Sequence, residues 1–298
     1  MADRERPNPR LFTMLRPDAT LRVRPIGLKP RVLTDLYHEL LRCSWPQVFG
    51  LFAISFLSFN LFFAFLYTLD PNGLGSIREL SGIPLFWRAF FFSVHTVATI
   101  GYGDVYPVST YTNWLVVAEI TLGILLFALT TGIAFARFSR PTARILFSNV
   151  AVVAPVDGTP TLMFRTANQR HNLIFGAAAS VSVLMDEMVG GREMRRFSDL
   201  DLVRSATPVF ALTWTLMHPI TETSPLKPLL DGGTIDDMEI VAILSGVDER
   251  SGQTIYARWA YGPEDIRWNA CFVDILGETP DGIRTVDYRH FHEVEEWS

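Results

Sequence analysis

A chain of 298 residues holds one large or two ordinary domains. With 49% hydrophobic residues and a mean hydropathy of +0.22, it leans toward a membrane protein carrying a substantial soluble part. Two cysteines, Cys43 and Cys271, argue against a disulfide framework or a metal cluster and read as ordinary buried thiols, and a net charge of −5 offers no basic excess for nucleic acid.

Residues 1–31 are rich in Arg and Pro without periodicity and read as an extended cytoplasmic N-terminal arm; the first forty residues lack the apolar core of a signal peptide. Over 32–44 the pattern changes. Val32, Leu33, Leu36, Tyr37, Leu40 and Leu41 share one helical face, and Thr34, Asp35, His38, Glu39 and Arg42 take the other. This spacing predicts a short amphipathic helix, either sliding along the inner membrane interface or packed on a soluble domain.

A transmembrane pore domain is expected over 45–138. Its outer helix, 46–69, is free of charge from Val48 to Leu69 and long enough to cross about 30 Å of hydrocarbon, with Trp45 and Tyr67 suited to the two interfaces. Asp70, Pro71, Asn72 and Gly73 break it, and the loop up to Pro84 is turn-forming. Residues 85–98 are apolar but too short to cross, so they read as a re-entrant pore helix whose C-terminal end directs partial negative charge toward a pore axis.

Residues 99–103 (Thr99, Ile100, Gly101, Tyr102, Gly103) are too glycine-rich for helix yet lie between two spanning segments. Such backbone is tolerated at membrane depth only beside protein or water. Positive φ at Gly101 and Gly103 lets successive carbonyls point one way. Four such loops around an axis make stacked rings of carbonyl oxygens, which in physical terms is a potassium filter: the carbonyl dipoles replace the hydration shell of the ion.

The inner helix, 111–138, contains Glu119, Gly123 and Gly132. A carboxylate at membrane depth is costly, so Glu119 is expected to face protein or water, as a structural partner near the pore helix or as an ion ligand; the glycines offer close packing or bending points. Pro141 forces the helix to end before it. Arg137 and Arg140 share a face there and Arg144 follows. Together with the arginine excess before Trp45, they place both ends of the chain in the cytoplasm by the positive-inside rule and are suited to anionic lipid.

From 139 to 298 no further segment can span. Strands are predicted at 151–153, 161–164, 179–185, 209–217, 239–244, 254–261 and 271–276, with turns at Asp157-Gly158, Gly190-Gly191 and Asp281-Gly282. That spacing suggests an all-β immunoglobulin-like sandwich. The expected fold is therefore a membrane α-helical pore domain of two transmembrane helices, pore helix and filter loop, followed by a cytoplasmic all-β sandwich.

The pore loop, with the preceding Phe90 to Ala98 and the following Asp104, resembles the signature of the potassium-channel superfamily. Landmarks spread along the chain narrow the resemblance to the bacterial branch of the inward rectifiers. They include Asp35-Leu36-Tyr37 with Ser44-Trp45-Pro46, Ala136-Arg137-Phe138-Ser139-Arg140-Pro141, Arg165-Thr166-Ala167-Asn168, Leu212 to Pro219, Glu239 to Leu244 and Asp287 to His292. The resemblance implies a homotetramer in the bacterial inner membrane that conducts K+ without a cofactor. It places K+ at Thr99, Ile100, Gly101 and Tyr102, and a cytoplasmic vestibule below.

Carried over by resemblance, Phe135 occupies the position of the bulky gate at the inner-helix crossing. Phe127 stands where strongly rectifying relatives have an acid, which implies weak rectification. Glu249 aligns loosely with an acidic vestibule residue, although solvation of a turn accounts for it as well. Lys29, Arg31, Arg137, Arg140 and Arg144 are the candidates for phosphoinositide-like lipid. His95 replaces the Glu or Gln common beside the filter, so a brace from His95 to Asp104, sensitive to protonation, is expected in place of an acid pair.

Two other classes are weaker. A two-span cation channel gated by another cytosolic ligand requires βαβ units and a glycine-rich phosphate loop, and neither is visible. A membrane-anchored enzyme or ligand-binding sandwich would use His171, His218, His290 or His292, which lack metal-ligand spacing.

Overall fold

A computed structural model describes residues 36–77, 82–170, 172–230, 238–278, 280–282 and 284–297. Residues 1–31, with Lys29 and Arg31, lie outside these. The described residues form two compact units, one ending at Arg140 and the other beginning at Pro141.

In the first unit, the amphipathic segment is helical over α1 (Leu36–Arg42); residues 32–35 of the expected helix lie outside the described residues. The outer helix α2 (Trp45–Thr68) starts on a turn in which the Ser44 N–H donates to Gln47 Oε1 at 2.7 Å, with Pro46 in the first turn, where a missing N–H costs nothing. The pore helix α3 (Leu85–Val97) begins after Pro84. The inner helix α4 (Thr110–Phe138) is capped by Ser109 Oγ, which accepts from the Thr112 N–H at 3.1 Å, and it stops at Ser139, ahead of Pro141.

Two features of this unit depart from the sequence reading. The loop after the outer helix is not only turns: β1 (Leu74–Ser76) pairs antiparallel with β2 (Val105–Pro107). The packing is close, since a Cβ on Gly75 would meet the Tyr106 ring at 2.7 Å. Tyr67, expected at an interface, is instead fully buried, because its hydroxyl has a carboxyl partner inside the unit.

The second unit is a β-sandwich. One sheet has the order β11 (Thr254–Tyr261), β10 (Glu239–Asp248), β6 (Ile174–Val189), β7 (Arg192–Asp199), with β8 (Ala206–Phe210) also on β6. The other has β12 (Ile266–Trp268), β4 (Ala151–Val156), β5 (Thr159–Asn168), β3 (Ile145–Phe147), with β9 (Thr213–Pro219) also on β5. Leu162, Phe164 and Leu216 from one sheet and Val181, Val183, Ile240 and Leu244 from the other share one buried core. Along β9, Trp214, Leu216 and His218 are buried and their neighbours are not, the period of two expected of a strand with one face covered.

Asp157 and Gly158, at φ 51° and 80°, make the two-residue turn between β4 and β5, and Gly190 and Gly191, at 59° and 80°, make that between β6 and β7. Both glycine-bearing pairs have the left-handed backbone that tight hairpins require. The predicted strand 209–217 is two strands: the chain leaves one sheet at Phe210 and enters the other at Thr213, so residues of one apolar run serve opposite layers. The predicted strand 271–276 also breaks, into β13 (Ala270–Phe272) and β14 (Leu276–Glu278). Strand β7 lies outside the predicted set; Arg192, Arg195 and Arg196 mask its period, and its antiparallel ladder to β6 holds it, with Asp186 and Glu187 beside Arg195 and Arg196. Cys43 and Cys271 are unpaired and half-buried rather than buried.

Candidate functional site

The pore helix hands its end directly to the loop at 99–103. The Ala98 N–H donates to Val94 O at 2.9 Å, the Thr99 N–H to Thr96 O at 3.1 Å and the Ile100 N–H to His95 O at 2.8 Å. Beyond that point φ alternates: Thr99, Gly101 and Gly103 are left-handed at 57°, 62° and 76°, while Ile100 and Tyr102 are not. Left-handed backbone at the two glycines matches the expectation. Thr99 carries no such signal in its residue type, since a β-branched residue at positive φ is a true outlier of order 1–3 kcal/mol, and such strain persists where surrounding structure enforces it. A left-handed residue at every second position turns successive carbonyls to one side of the strand, which is the arrangement that can coordinate a dehydrated cation.

On the far side of the loop, the Ile77 N–H donates to Asp104 O at 3.0 Å and the Val108 N–H to Gly73 O at 2.8 Å, continuing the β1–β2 ladder. The exit of the loop is thus held by backbone pairing. A cavity of about 510 Å³ lies against the loop, with Arg88, His95, Tyr102 and Asp104 among its lining residues.

The expected His95–Asp104 brace is not formed. The His95 ring meets the Tyr102 ring edge to face, with centroids 5.0 Å apart and planes at 89°. Asp104 follows the left-handed Gly103, and its backbone carbonyl accepts from the Ile77 N–H.

On the inner helix, Thr112, Glu119 and Gly123 are the buried residues. Glu119 accepts from the Tyr67 hydroxyl at 2.7 Å and is hydrogen-bonded to Ser93 of the pore helix, so of the two roles left open for it the geometry selects the structural one. The two glycines separate likewise. A Cβ on Gly123 would meet Val97 Cγ1 at 3.2 Å, which marks close packing, whereas Gly132 has open space around it. Phe127 and Phe135 are exposed, at 49% and 71%.

The basic residues have different surroundings. Arg137 Nη1 donates to Leu40 O at 3.0 Å and its guanidinium sits 5.0 Å from the Trp45 ring centroid, tying the inner-helix end to α1 and to the start of α2. Arg140 and Arg144 are exposed. Glu249 is pinned at its turn: Oε2 accepts from the Leu173 N–H at 2.9 Å, and its own N–H donates to Leu173 O at 3.0 Å. The neighbouring Asp248 carboxyl is held below the usual range by the Ser251 N–H, with Asn172 and Arg250 also donating, against the opposing effect of burial. His218 is enclosed by Asp201 O and Ser224 Oγ, each at 2.7 Å, and burial lowers its basicity. His290 pairs with Glu293 and His292 accepts from the Asn149 N–H; His171 lies outside the described residues.

Two family profiles match the chain, one described as "Ion channel" over residues 51–140 and one as "Inward rectifier potassium channel C-terminal domain" over residues 145–298. Together with the two helices long and apolar enough to cross a membrane, they define a membrane ion channel: a helical pore followed by a β-sandwich. The chain is 38% identical to "Inward rectifier potassium channel Kirbac3.1" of Paramagnetospirillum magnetotacticum, over 97% of this chain and 98% of that one. It is 30% identical to "ATP-sensitive inward rectifier potassium channel 10" of Homo sapiens, over 88% of this chain and 74% of that one. For "ATP-sensitive inward rectifier potassium channel 12" of Mus musculus the figures are 29%, 89% and 67%. The chain belongs to the inward rectifier potassium channel family.

Proposed function

We propose that four copies of this chain surround an axis and conduct K+ passively, the ion passing between carbonyl oxygens of Thr99, Ile100, Gly101 and Tyr102 and the Thr99 hydroxyl. The observation that carries this reading is the alternation of left-handed backbone at Thr99, Gly101 and Gly103 directly after the pore helix. Association is supported by the inner helix, of which little beyond Thr112, Glu119 and Gly123 is covered by its own chain. Purified protein in liposomes is expected to show K+ flux that barium blocks and that Gly101→Ala abolishes, because an L side chain is strained at φ 62°. Flux of equal size through Gly101→Ala overturns the assignment.

Phe135 is the proposed gate, closing the pore by excluding water where four exposed rings converge. With Phe127 at the rectification position, block by intracellular polyamine is expected to be weak. Introducing Phe127→Asp should strengthen it, and unchanged block would remove that position from the pore lining.

Anionic, phosphoinositide-like lipid is proposed to act at Arg140 and Arg144, with Lys29 and Arg31 as further candidates. Arg137, already bound to Leu40 and Trp45, holds the helix end instead. Lipid shifts the gate only if it binds one gate state better than the other. A flux titration with anionic lipid should be blunted in Arg140→Gln, and an unchanged response excludes that residue. The proposed location is the bacterial inner membrane, in keeping with the bacterial relative, and the arginine distribution supports both termini being cytoplasmic.

A further inference from the structure

The buried polar side chains of the pore unit meet at one point. Asn60 of α2, Ser93 of α3 and Glu119 of α4 are each fully buried, as is Tyr67. Asn60 Nδ2 donates to Phe56 O at 2.7 Å, which fixes the amide so that its Oδ1 faces Ser93, and the Ser93 hydroxyl donates to that oxygen at 2.9 Å. Ser93 Oγ is also hydrogen-bonded to Glu119 Oε1, and the Tyr67 hydroxyl donates to Glu119 Oε2 at 2.7 Å.

Counting protons decides the chemistry. A serine hydroxyl owns one proton, and Asn60 Oδ1 and a Glu119 carboxylate would both need it. If Ser93 gives it to Glu119, Asn60 Oδ1 is left buried with no donor, its lost hydration uncompensated. Glu119 has no cationic partner among the described residues, so an ionised carboxyl would also be an uncompensated buried charge. Both problems vanish if Glu119 carries the proton and donates to Ser93, which then donates to Asn60.

The same contact has a geometric consequence. One helical turn beyond Glu119, Gly123 packs on Val97, which lies one turn beyond Ser93. The inner helix therefore meets the pore helix at two successive rungs, one hydrogen-bonded and one close-packed. The second rung falls on the last residue of the pore helix, next to the carbonyls of His95 and Thr96 that receive the Ile100 and Thr99 N–H groups.

We propose that Glu119 is a positioning residue kept as a neutral carboxylic acid, whose hydrogen bond to Ser93 sets the register of the inner helix on the pore helix and through it the entry to the 99–103 loop. This rests on that loop being the ion path. The proton assignment is tested separately, by infrared spectroscopy of the full-length protein in lipid at neutral pH with carbon-13-labelled glutamate. A carbonyl band of a protonated carboxylic acid should shift on labelling and disappear in Glu119→Gln. If no protonated-acid band is lost in that variant, the assignment is wrong whether or not the protein conducts.

Positioning is tested by K+ over Na+ selectivity in liposomes. Glu119→Ala should lower it roughly tenfold, the scale of one lost buried hydrogen bond. Glu119→Gln should restore it relative to the alanine variant, because its amide donates to Ser93 and accepts from Tyr67. Equal selectivity in the alanine and wild-type proteins, or a glutamine variant no better than alanine, overturns the positioning role. If Glu119→Ala fails to fold, the comparison of glutamine with wild type and the infrared band still decide. Absence of K+ flux from the wild type would instead count against the channel reading and leave the proton assignment standing.

Discussion

The two units differ in what they turn outward. In the pore unit Phe49, Ile54, Phe62, Phe65, Trp114 and Ile124 lie on the outside, while Asn60, Ser93, Thr112 and Glu119 are fully enclosed. In the sandwich Leu162, Phe164, Val183, Leu216 and Ile240 fill the interior, and pairs such as Arg196–Glu187 and Lys227–Glu222 sit at the surface. The difference reports the solvent each unit meets. Apolar surface gains nothing by burial when hydrocarbon surrounds it, so packing specificity in the pore unit falls to small residues and hydrogen bonds. In water the apolar side chains supply the driving force.

The largest expected effect breaks this contrast if it fails. Leu162→Ala, at a site 1% exposed, should cost about 3 kcal/mol, whereas Ile54→Ala, 64% exposed on the outer helix, should cost less than about 0.5 kcal/mol. Hydrogen exchange of the full-length protein in lipid, read at β5 and at α2, measures both, and equal losses would refute the distinction.

Next in size is His218→Phe, which removes the ring's bonds to Asp201 and Ser224 at a cost of roughly 2 kcal/mol. It also tests the sign of a pH effect. Burial holds His218 below its unfolded value, so the folded sandwich binds fewer protons than the unfolded one. Its contribution is complete above about pH 6.5 and is lost as pH falls below that toward the folded value. Wild-type melting should fall between about pH 7.5 and 5.5, and the variant, though less stable, should fall less steeply. Parallel slopes would show that another group carries the acid response.

Within the pore unit, Gly123→Ala should cost about 1 kcal/mol because Val97 must give way, while Gly132→Ala, in open space, should be neutral or gain roughly 0.5–1 kcal/mol from helix propensity. Thermal melting followed by circular dichroism separates them; identical shifts would mean that close packing at Gly123 is not what holds the inner helix. The smallest effect sharpens the other side of the contrast. Arg196→Ala, breaking a 4.0 Å pair with a side chain 64% exposed, should change stability by less than about 0.5 kcal/mol.

Much of this was legible in the residues. Uninterrupted apolar runs define α2 and α4, a run too short to cross defines α3, and Gly101 and Gly103 mark the loop between them. Asp157-Gly158 and Gly190-Gly191 announce their hairpins. What escaped has a common cause. Strand β7 carries three arginines and is held by its ladder to β6, a partner its own residue pattern does not reveal, and the run around Val209 looks continuous although its halves pack in different sheets. Tyr67 has the composition of an interface residue and became an interior one only because Glu119 and Phe92 are there to meet it.

The residues by themselves determined the lengths of the helices, the place of the loop and the general β character of the second unit, because hydrophobic run length and glycine placement act locally along the chain. Tertiary structure alone decided that Thr99 is left-handed, that His95 leans on Tyr102 and not on Asp104, and that Glu119 meets Ser93 and Tyr67. Those outcomes depend on which groups from distant segments arrive at hydrogen-bonding distance, and a buried polar group takes whichever partner the packing brings to it.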